Sequence, residues 1–253
     1  MKFLGFLRLR CNLRVVTGLH IGGGAAGISI GATDSPVIKV NGKPYIPGSS
    51  LKGKIRSLLE IAHGLKIDSK LGRHECEKNT NPCDVCVVFG RAAERKGSEG
   101  PTRIIFRDSY INDELSDEEA RKSDYTEIKM ENAINRITSR VEGALRDTER
   151  VLPGTVFDVE VLYRVYDEDF GSGSLASVEK LETLPEPLKT RFGLILEGMK
   201  ILEQDYLGGK GTRGYGKVQF ENIKIESIPL EFFKKNGEIK ELFSGSLSEA
   251  MSK

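Results

Sequence analysis

The 38 basic and 37 acidic side chains of this 253-residue chain nearly cancel, leaving a formal charge of +1. Net charge therefore gives no bulk attraction to nucleic acid or membranes, and any basic surface must come from how the charges are distributed. No hydrophobic run is long enough to span a bilayer, because the longest uncharged run, residues 17–33, carries six glycines. Arg8 and Arg10 interrupt the apolar start, which therefore does not read as a secretion signal. A cytoplasmic location with no membrane partner is expected, where thiols stay reduced. Four cysteines in that setting point to metal or core rather than disulfides.

The charges that are present are segregated. Residues 35–59 hold five bases, Lys39, Lys43, Lys52, Lys54 and Arg56, and no acid, whereas acids gather at 113–119, 167–169 and 179–203. Residues 208–216 contain five glycines, with Lys210, Arg213 and Lys217 nearby and no acid between Asp205 and Glu221. Gly209, Gly211 and Gly214 leave cationic backbone without a Cβ, a surface suited to a phosphate chain. The plainer alternative is a flexible basic loop between a helix and a strand.

Leu7, Leu9, Cys11, Leu13 and Val15 alternate with polar residues, which predicts a half-buried strand with Cys11 in its core register. A glycine-rich segment follows, then a hairpin turning at Asn41-Gly42. Ser49 or Ser50 is expected to cap a helix with the stripe Leu51, Ile55, Leu58, Leu59, Ala62 and Leu65. Residues 103–111 and 155–166 read as strands. Leu188, Phe192, Ile195, Met199 and Leu202 mark a second helix, and 217–226 a last strand. Strand, helix, strand, strand, helix, strand is the ferredoxin-like (RRM-like) α+β plan. The expected layout is one domain over 1–226 with insertions at 17–48, 66–102 and 112–154, then a tail at 227–253.

His74-x-Cys76-x6-Cys83-x2-Cys86 supplies four ligands at spacing suited to a closed structural zinc site. Asp84 and Glu75 are alternatives to His74 at the fourth position. Several nucleotide motifs almost fit. Gly48-Ser-Ser-Leu-Lys-Gly53-Lys54 would be a P-loop, but Ile55 stands where Ser or Thr should hold magnesium. Gly22-x-Gly24-x-x-Gly27 and Gly209-x-Gly211-x-x-Gly214 match the dinucleotide pattern, yet neither is expected to open a helix. The segment from Arg213 to Phe220 resembles the RNA-recognition signature, with Lys217 in place of a stacking aromatic and on the wrong strand.

Thr17-Gly-Leu-His20, Gly31-Ala-Thr-Asp34-Ser-Pro36, Ile46-Pro-Gly-Ser-Ser-Leu-Lys-Gly-Lys-Ile-Arg56 and Phe106-Arg-Asp108 occur in order. After them come Thr126-Glu-Ile-Lys-Met-Glu-Asn132, Asn135-Arg-Ile-Thr138 and Tyr206-Leu-Gly-Gly-Lys-Gly-Thr-Arg-Gly-Tyr-Gly-Lys-Val218. Together they resemble the RAMP superfamily of CRISPR proteins over residues 1 to 226, and within it the backbone subunits of type III-A (Csm-type) effector complexes. Thr212, where Ser is usual, and the cysteine cluster, carried by some members, depart from the pattern.

The resemblance implies a palm with a thumb, and copies of the chain stacked in a filament along CRISPR RNA beside other type III-A effector subunits. Target RNA would be cut at regular kinks by an endoribonuclease reaction needing Mg or Mn, with the essential aspartate at Asp34. His20, Asp108 and Glu131 are further catalytic or guide-contact candidates by motif position. Lys52, Lys54 and Arg56 at a helix N-terminus make an expected phosphate grip. Lys210 and Arg213 of the glycine loop, and Asn135, Arg136 and Arg140 of the implied thumb, complete the expected RNA contacts. The competing function is a scaffold that grips guide RNA without cutting. On the residues alone, Asp34-Ser35-Pro36 reads as ordinary turn chemistry.

Overall fold

Alternation from Leu7 to Val15 makes β1 (Phe3–Val15) the axis of the molecule, its apolar side chains buried and Arg8, Arg10, Asn12 and Arg14 on the opposite face. The computed structural model describes residues 1–23, 35–77, 80–92, 94, 100–141, 145–171, 173–234 and 237–253. From β1 the chain passes through a hairpin, β2 (Lys39–Val40) and β3 (Lys43–Pro44), to α1 (Gly48–Ala62). Next come α2 (Asp84–Phe89), β4 (Ile104–Phe106), β5 (Tyr110–Ile111) and α3 (Glu118–Lys122). A second hairpin, β6 (Thr126–Glu131) and β7 (Arg146–Val151), precedes β8 (Val156–Tyr166) and α4 (Asp167–Phe170). Then follow α5 (Leu188–Gln204), β9 (Val218–Pro229), α6 (Leu230–Phe233), β10 (Lys240–Gly245) and α7 (Leu247–Met251).

The main sheet runs β10-β9-β1-β8-β4, with β5 also on β8, and all its pairings are antiparallel. Leu9 faces Val161 across one edge of β1 and Ile225 across the other. The mixed helix–sheet class expected from the sequence is therefore present. On one face, Leu51, Ile55, Leu58 and Leu59 of α1 join Leu188, Phe192, Ile195, Met199 and Leu202 of α5 in the core. Each such buried side chain contributes about 1.5–3 kcal/mol. The two helices cross closely: a Cβ on Gly198 would lie 2.5 Å from Ile55 Cγ2.

Several local expectations change. Neither Ser49 nor Ser50 caps α1; Pro47 precedes it, and the carboxylate of Asp108 accepts the Gly48 N–H at 2.8 Å. Ala62 is exposed because the helix ends there. The strand expected over 103–111 splits in two, since Ser109 exchanges backbone hydrogen bonds with Ile46 instead. Residues 240–251, read as part of a tail, form β10 on the sheet edge and α7 against α5 and β9.

A buried ion network fixes one end of the sheet. Asp169, fully buried, accepts from Arg103 Nε at 2.7 Å and also from Arg191 Nη1. Arg191 Nε reaches Asp84 at 2.8 Å, which ties α5 to the start of α2. Removing Asp169 would take from the buried Arg103 its 2.7 Å ion pair and leave it facing the half-exposed Glu168 at 3.4 Å. Asp169→Ala is expected to cost about 3–5 kcal/mol in denaturant unfolding; a cost below about 1 kcal/mol would show that Glu168 compensates Arg103 by itself.

Candidate functional site

Past Val15 the first strand does not stop making bonds. Val16 and Thr17 N–H donate to the Lys217 carbonyl, and the Gly18 carbonyl accepts from Gly216 at 3.0 Å. On the other edge, Leu19 and Val151 exchange bonds of 3.0 and 2.7 Å, while the Ile21 carbonyl accepts from Ile38 at 2.9 Å. Residues 16–21 thus join the glycine loop, β7 and the segment leading to β2. Glycine is required at the closest approach: a Cβ on Gly208 would meet the His20 carbonyl oxygen at 2.3 Å.

His20 lies buried at this junction. Its Nδ1 is 2.7 Å from the Glu149 carbonyl, an acceptor only, so Nδ1 carries a proton and donates. Its own carbonyl accepts the Gly209 N–H at 2.8 Å. Asp34 and the glycines at 24, 27 and 31 lie outside the described residues. Ser35, the neighbour of Asp34, forms a bridge with Thr148, and its carbonyl accepts the Glu149 N–H at 3.0 Å. Lys210, in a left-handed turn, donates to the Thr148 hydroxyl. The carboxylate of Glu149 accepts the Val37 N–H at 3.0 Å and pairs with Lys39. Burial opposes that ionisation, but Lys39 and the Val37 amide hold Glu149 below the usual carboxylate range. The folded core thereby brings His20, Gly209, Lys210 and the flank of Asp34 to one place.

A second cluster joins the loop to the β6–β7 hairpin. Glu131 accepts from Tyr215 Oη at 2.8 Å and Arg213 Nη1 at 2.9 Å. Lys129 and Arg150 stand over the buried Tyr215 ring. A cleft of about 460 Å³ here is lined by Lys129, Glu131, Asn132, Ala133, Arg146 and Arg213. Three of these are cationic, so the cleft suits an anionic chain once Glu131 is counted against Arg213. At the hairpin tip, Asn135 Oδ1 caps the turn by accepting from Ile137 and Thr138, and Arg136 and Arg140 are exposed.

Other candidates lie elsewhere. Asp108, an acidic candidate whose alternative is a structural pair with Arg107 or Arg103, accepts the Gly48 N–H at the start of α1. Lys54 pairs with Asp205 at 2.9 Å and stands 3.9 Å above the Tyr206 ring. Arg56, expected to grip phosphate, donates to Glu60, to the Gly90 carbonyl and to the His74 carbonyl. Of the three expected phosphate-gripping cations on α1, Lys52 alone has no hydrogen bond or ion pair among the described residues; burial, then Arg56 and Arg164, lower its pKa.

The ligand atoms of His74, Cys76, Cys83 and Cys86 all lie within 4.8 Å of one another, a group able to hold a metal ion. His74 Nδ1 donates to the Lys66 carbonyl, which turns Nε2 toward Cys76 and Cys83 sulfurs at 3.4 and 3.5 Å. The Cys76 and Cys83 amides donate to the sulfurs of Cys86 and Cys76, as amides do to thiolates. Hydrogen bonding from Cys86 pushes the Cys83 thiol down to about 5, and the same contact pushes Cys86 up. A bound cation would favour the thiolate form of both. Asp84 and Glu75, the alternative ligands, are bound to Arg191 and to Arg73 and the Ala92 amide.

Sequence reasoning missed Glu149, Thr148 and Tyr215. Tyr215 sits inside the glycine motif, so its place was readable; nothing in the run 146–151 marks Glu149, whose partners, the Val37 amide and Lys39, lie far along the chain.

A family model described as the RAMP superfamily matches residues 12–219. The "CRISPR system Cms endoribonuclease Csm3" of Methanocaldococcus jannaschii is 39% identical over 229 residues, 88% of this chain and 82% of its own length. The protein of that name from Methanothermobacter thermautotrophicus is 41% identical over 234 residues, 86% and 84%. The Streptococcus thermophilus protein is 39% identical over 227 residues, 88% and 90%. Among solved structures, the Csm3–Csm4 subcomplex of the type III-A CRISPR–Cas interference complex aligns with a TM-score of 0.61 at 28% identity. That alignment covers 100% of this chain and 96% of the other.

The Tyr215 hydroxyl, more than Arg213, holds the Glu131 carboxyl below its ordinary value near 4.5. A depressed carboxylate contributes stability above its unfolded value and loses it as pH falls through the folded one. The hairpin–loop contact is therefore expected to persist below pH 4.5 and open only in stronger acid. In an NMR titration, Glu131 should show a midpoint below 4.5 that Tyr215→Phe moves upward; a wild-type midpoint above 4.5 would contradict the assignment.

Proposed function

This chain is a member of the RAMP superfamily, and on that premise we propose that it is a backbone subunit of a type III-A CRISPR effector complex, binding guide RNA and cutting complementary target RNA. The observation that carries the reading is the junction where His20, Ser35, Thr148, Gly209 and Lys210 meet, because it sets the flank of Asp34 beside a cationic, glycine-rich loop. The strand order β9-β1-β8-β4, with α1 and α5 on one face, is read as the ferredoxin-like palm. The β6–β7 hairpin is read as the thumb. Copies of the chain would stack along the guide beside other subunits of the complex. No helix among the described residues is long and apolar enough to cross a membrane.

RNA carries its own nucleophile, so the site chiefly needs to align a 2′-hydroxyl with the adjacent phosphate and to manage its proton. Lys210 and Arg213 are assigned to phosphate, with Lys52, Arg136 and Arg140 as further contacts; the Gly209 and Gly214 amides, expected at the RNA, donate instead to the His20 and Gly211 carbonyls. Asp34 is assigned the proton, or a divalent ion. Magnesium is commonly held by one or two carboxylates together with substrate phosphates, a donor set that Asp34 and RNA would supply. When bound, such an ion would polarise the phosphate oxygens. Glu131 and Glu149 are engaged by Arg213, Tyr215, Lys39 and Val37, which makes them scaffolding for the site. His20, held through Nδ1, keeps Nε2 on the Gly22 side of the junction.

The His74–Cys76–Cys83–Cys86 cluster is read as a structural zinc site. Four ligands close the tetrahedron and leave no open position for chemistry.

Asp34→Ala should leave guide and target binding within about twofold, since it removes no phosphate contact. Target cleavage by the assembled complex should fall about 100-fold or more, and EDTA should stop wild-type cutting. A variant that cuts at the wild-type rate would return Asp34 to turn chemistry and leave the non-cutting scaffold as the function.

A further inference from the structure

We infer that Arg56 is a positioning residue of the metal centre rather than a ligand for RNA phosphate; this rests on the zinc reading of the cysteine cluster. Arg56 lies on α1, outside the insertion that supplies the four ligands, and its side chain is 13% exposed. Its Nε donates to Glu60 at 2.7 Å, a carboxylate that is itself buried. Nη2 donates to the carbonyl of His74 at 2.7 Å, and Nη1 to the carbonyl of Gly90 at 2.9 Å. His74 is a ligand. Gly90 closes α2, the helix that carries Cys86, by donating its N–H to the Cys86 carbonyl at 2.9 Å.

One planar guanidinium therefore bridges the ligand on the entering chain and the helix bearing a ligand on the leaving chain. Only a fork with donors in three directions can serve Glu60, His74 and Gly90 together. A lysine ammonium on a flexible stem has the charge but not that geometry. Groups that orient metal ligands through hydrogen bonds typically change metal affinity 10- to 100-fold when removed. Lys52, four residues earlier on the same helix, has no such engagement among the described residues and is the better phosphate contact.

The test compares wild type, Arg56→Ala and Arg56→Lys in two measurements. Zinc affinity is read by competition with a chromophoric chelator, and the tetrahedral site by the visible bands of the Co²⁺-substituted protein. Both variants should bind zinc 10- to 100-fold more weakly, with altered Co²⁺ bands, and lysine should not rescue. Guide-RNA affinity is then followed against salt with zinc in excess. Neither variant should change the log–log slope, whereas loss of one single-strand phosphate contact would flatten it by about 0.7. Unchanged zinc affinity in Arg56→Ala overturns the role, as does a flattened slope that lysine restores. Absence of one equivalent of zinc from the wild type would instead remove the metal reading itself. A cooperative thermal melt selects folded variants, and should alanine fail to fold, the lysine variant carries both measurements.

Discussion

The arrangement depends on backbone pairing along residues 16–21, which continue the line of β1 after its sheet partners have turned away. Hydrogen bonds on one edge hold Lys217, Gly216 and Gly209, and those on the other hold Val151 and Ile38. A main-chain group buried without a partner costs as much as a lost hydrogen bond, so the segment is held by what it satisfies. Three parts of the chain far apart in sequence are thereby fixed to one another. The glycine loop can come that close because Gly208 and Gly216 have no Cβ to strike the His20 and Leu207 carbonyls. The flank of Asp34 is bound to the same hub through Thr148 and Glu149.

Charge is used in two distinct ways. Inside, Asp169, Arg103, Arg191 and Asp84 form a chain of paired ions that connects the end of the sheet to the start of α2. Arg56 makes a parallel connection from α1 to His74 and Gly90. Both hold the cysteine-bearing insertion against the helix layer. Outside, Lys129, Arg146, Arg213 and the exposed arginines of the hairpin tip face solvent, where phosphates can displace water and counterions. A nearly neutral chain can in this way present a cationic surface.

What was legible in the sequence follows from the range of each signal. The alternation in β1 and the stripe of α5 were readable because the residues that form the local pattern also form the core. The cysteine cluster was readable because its ligands are close in sequence and chemically unusual. Arg56, Asp108 and Glu149 were not, since their partners include the main-chain groups of His74 and Gly90, of Gly48, and of Val37. Any residue offers such groups, so no complementary side chain appears in the sequence to mark the bond. The capture of β10 by β9 was obscured in the same way: an edge strand needs only unpaired amides and carbonyls beside it.

The most direct measurement is the mapping of product ends from a labelled complementary RNA cut by the assembled complex. A 2′-hydroxyl nucleophile aligned by repeated copies of one junction requires cuts at a constant interval. Each should leave a 2′,3′-cyclic phosphate on one fragment and a 5′-hydroxyl on the next. Irregular cuts, or fragments ending in a 3′-hydroxyl and a 5′-phosphate, would mean that water is the nucleophile or that another subunit does the cutting, and would contradict the proposed site.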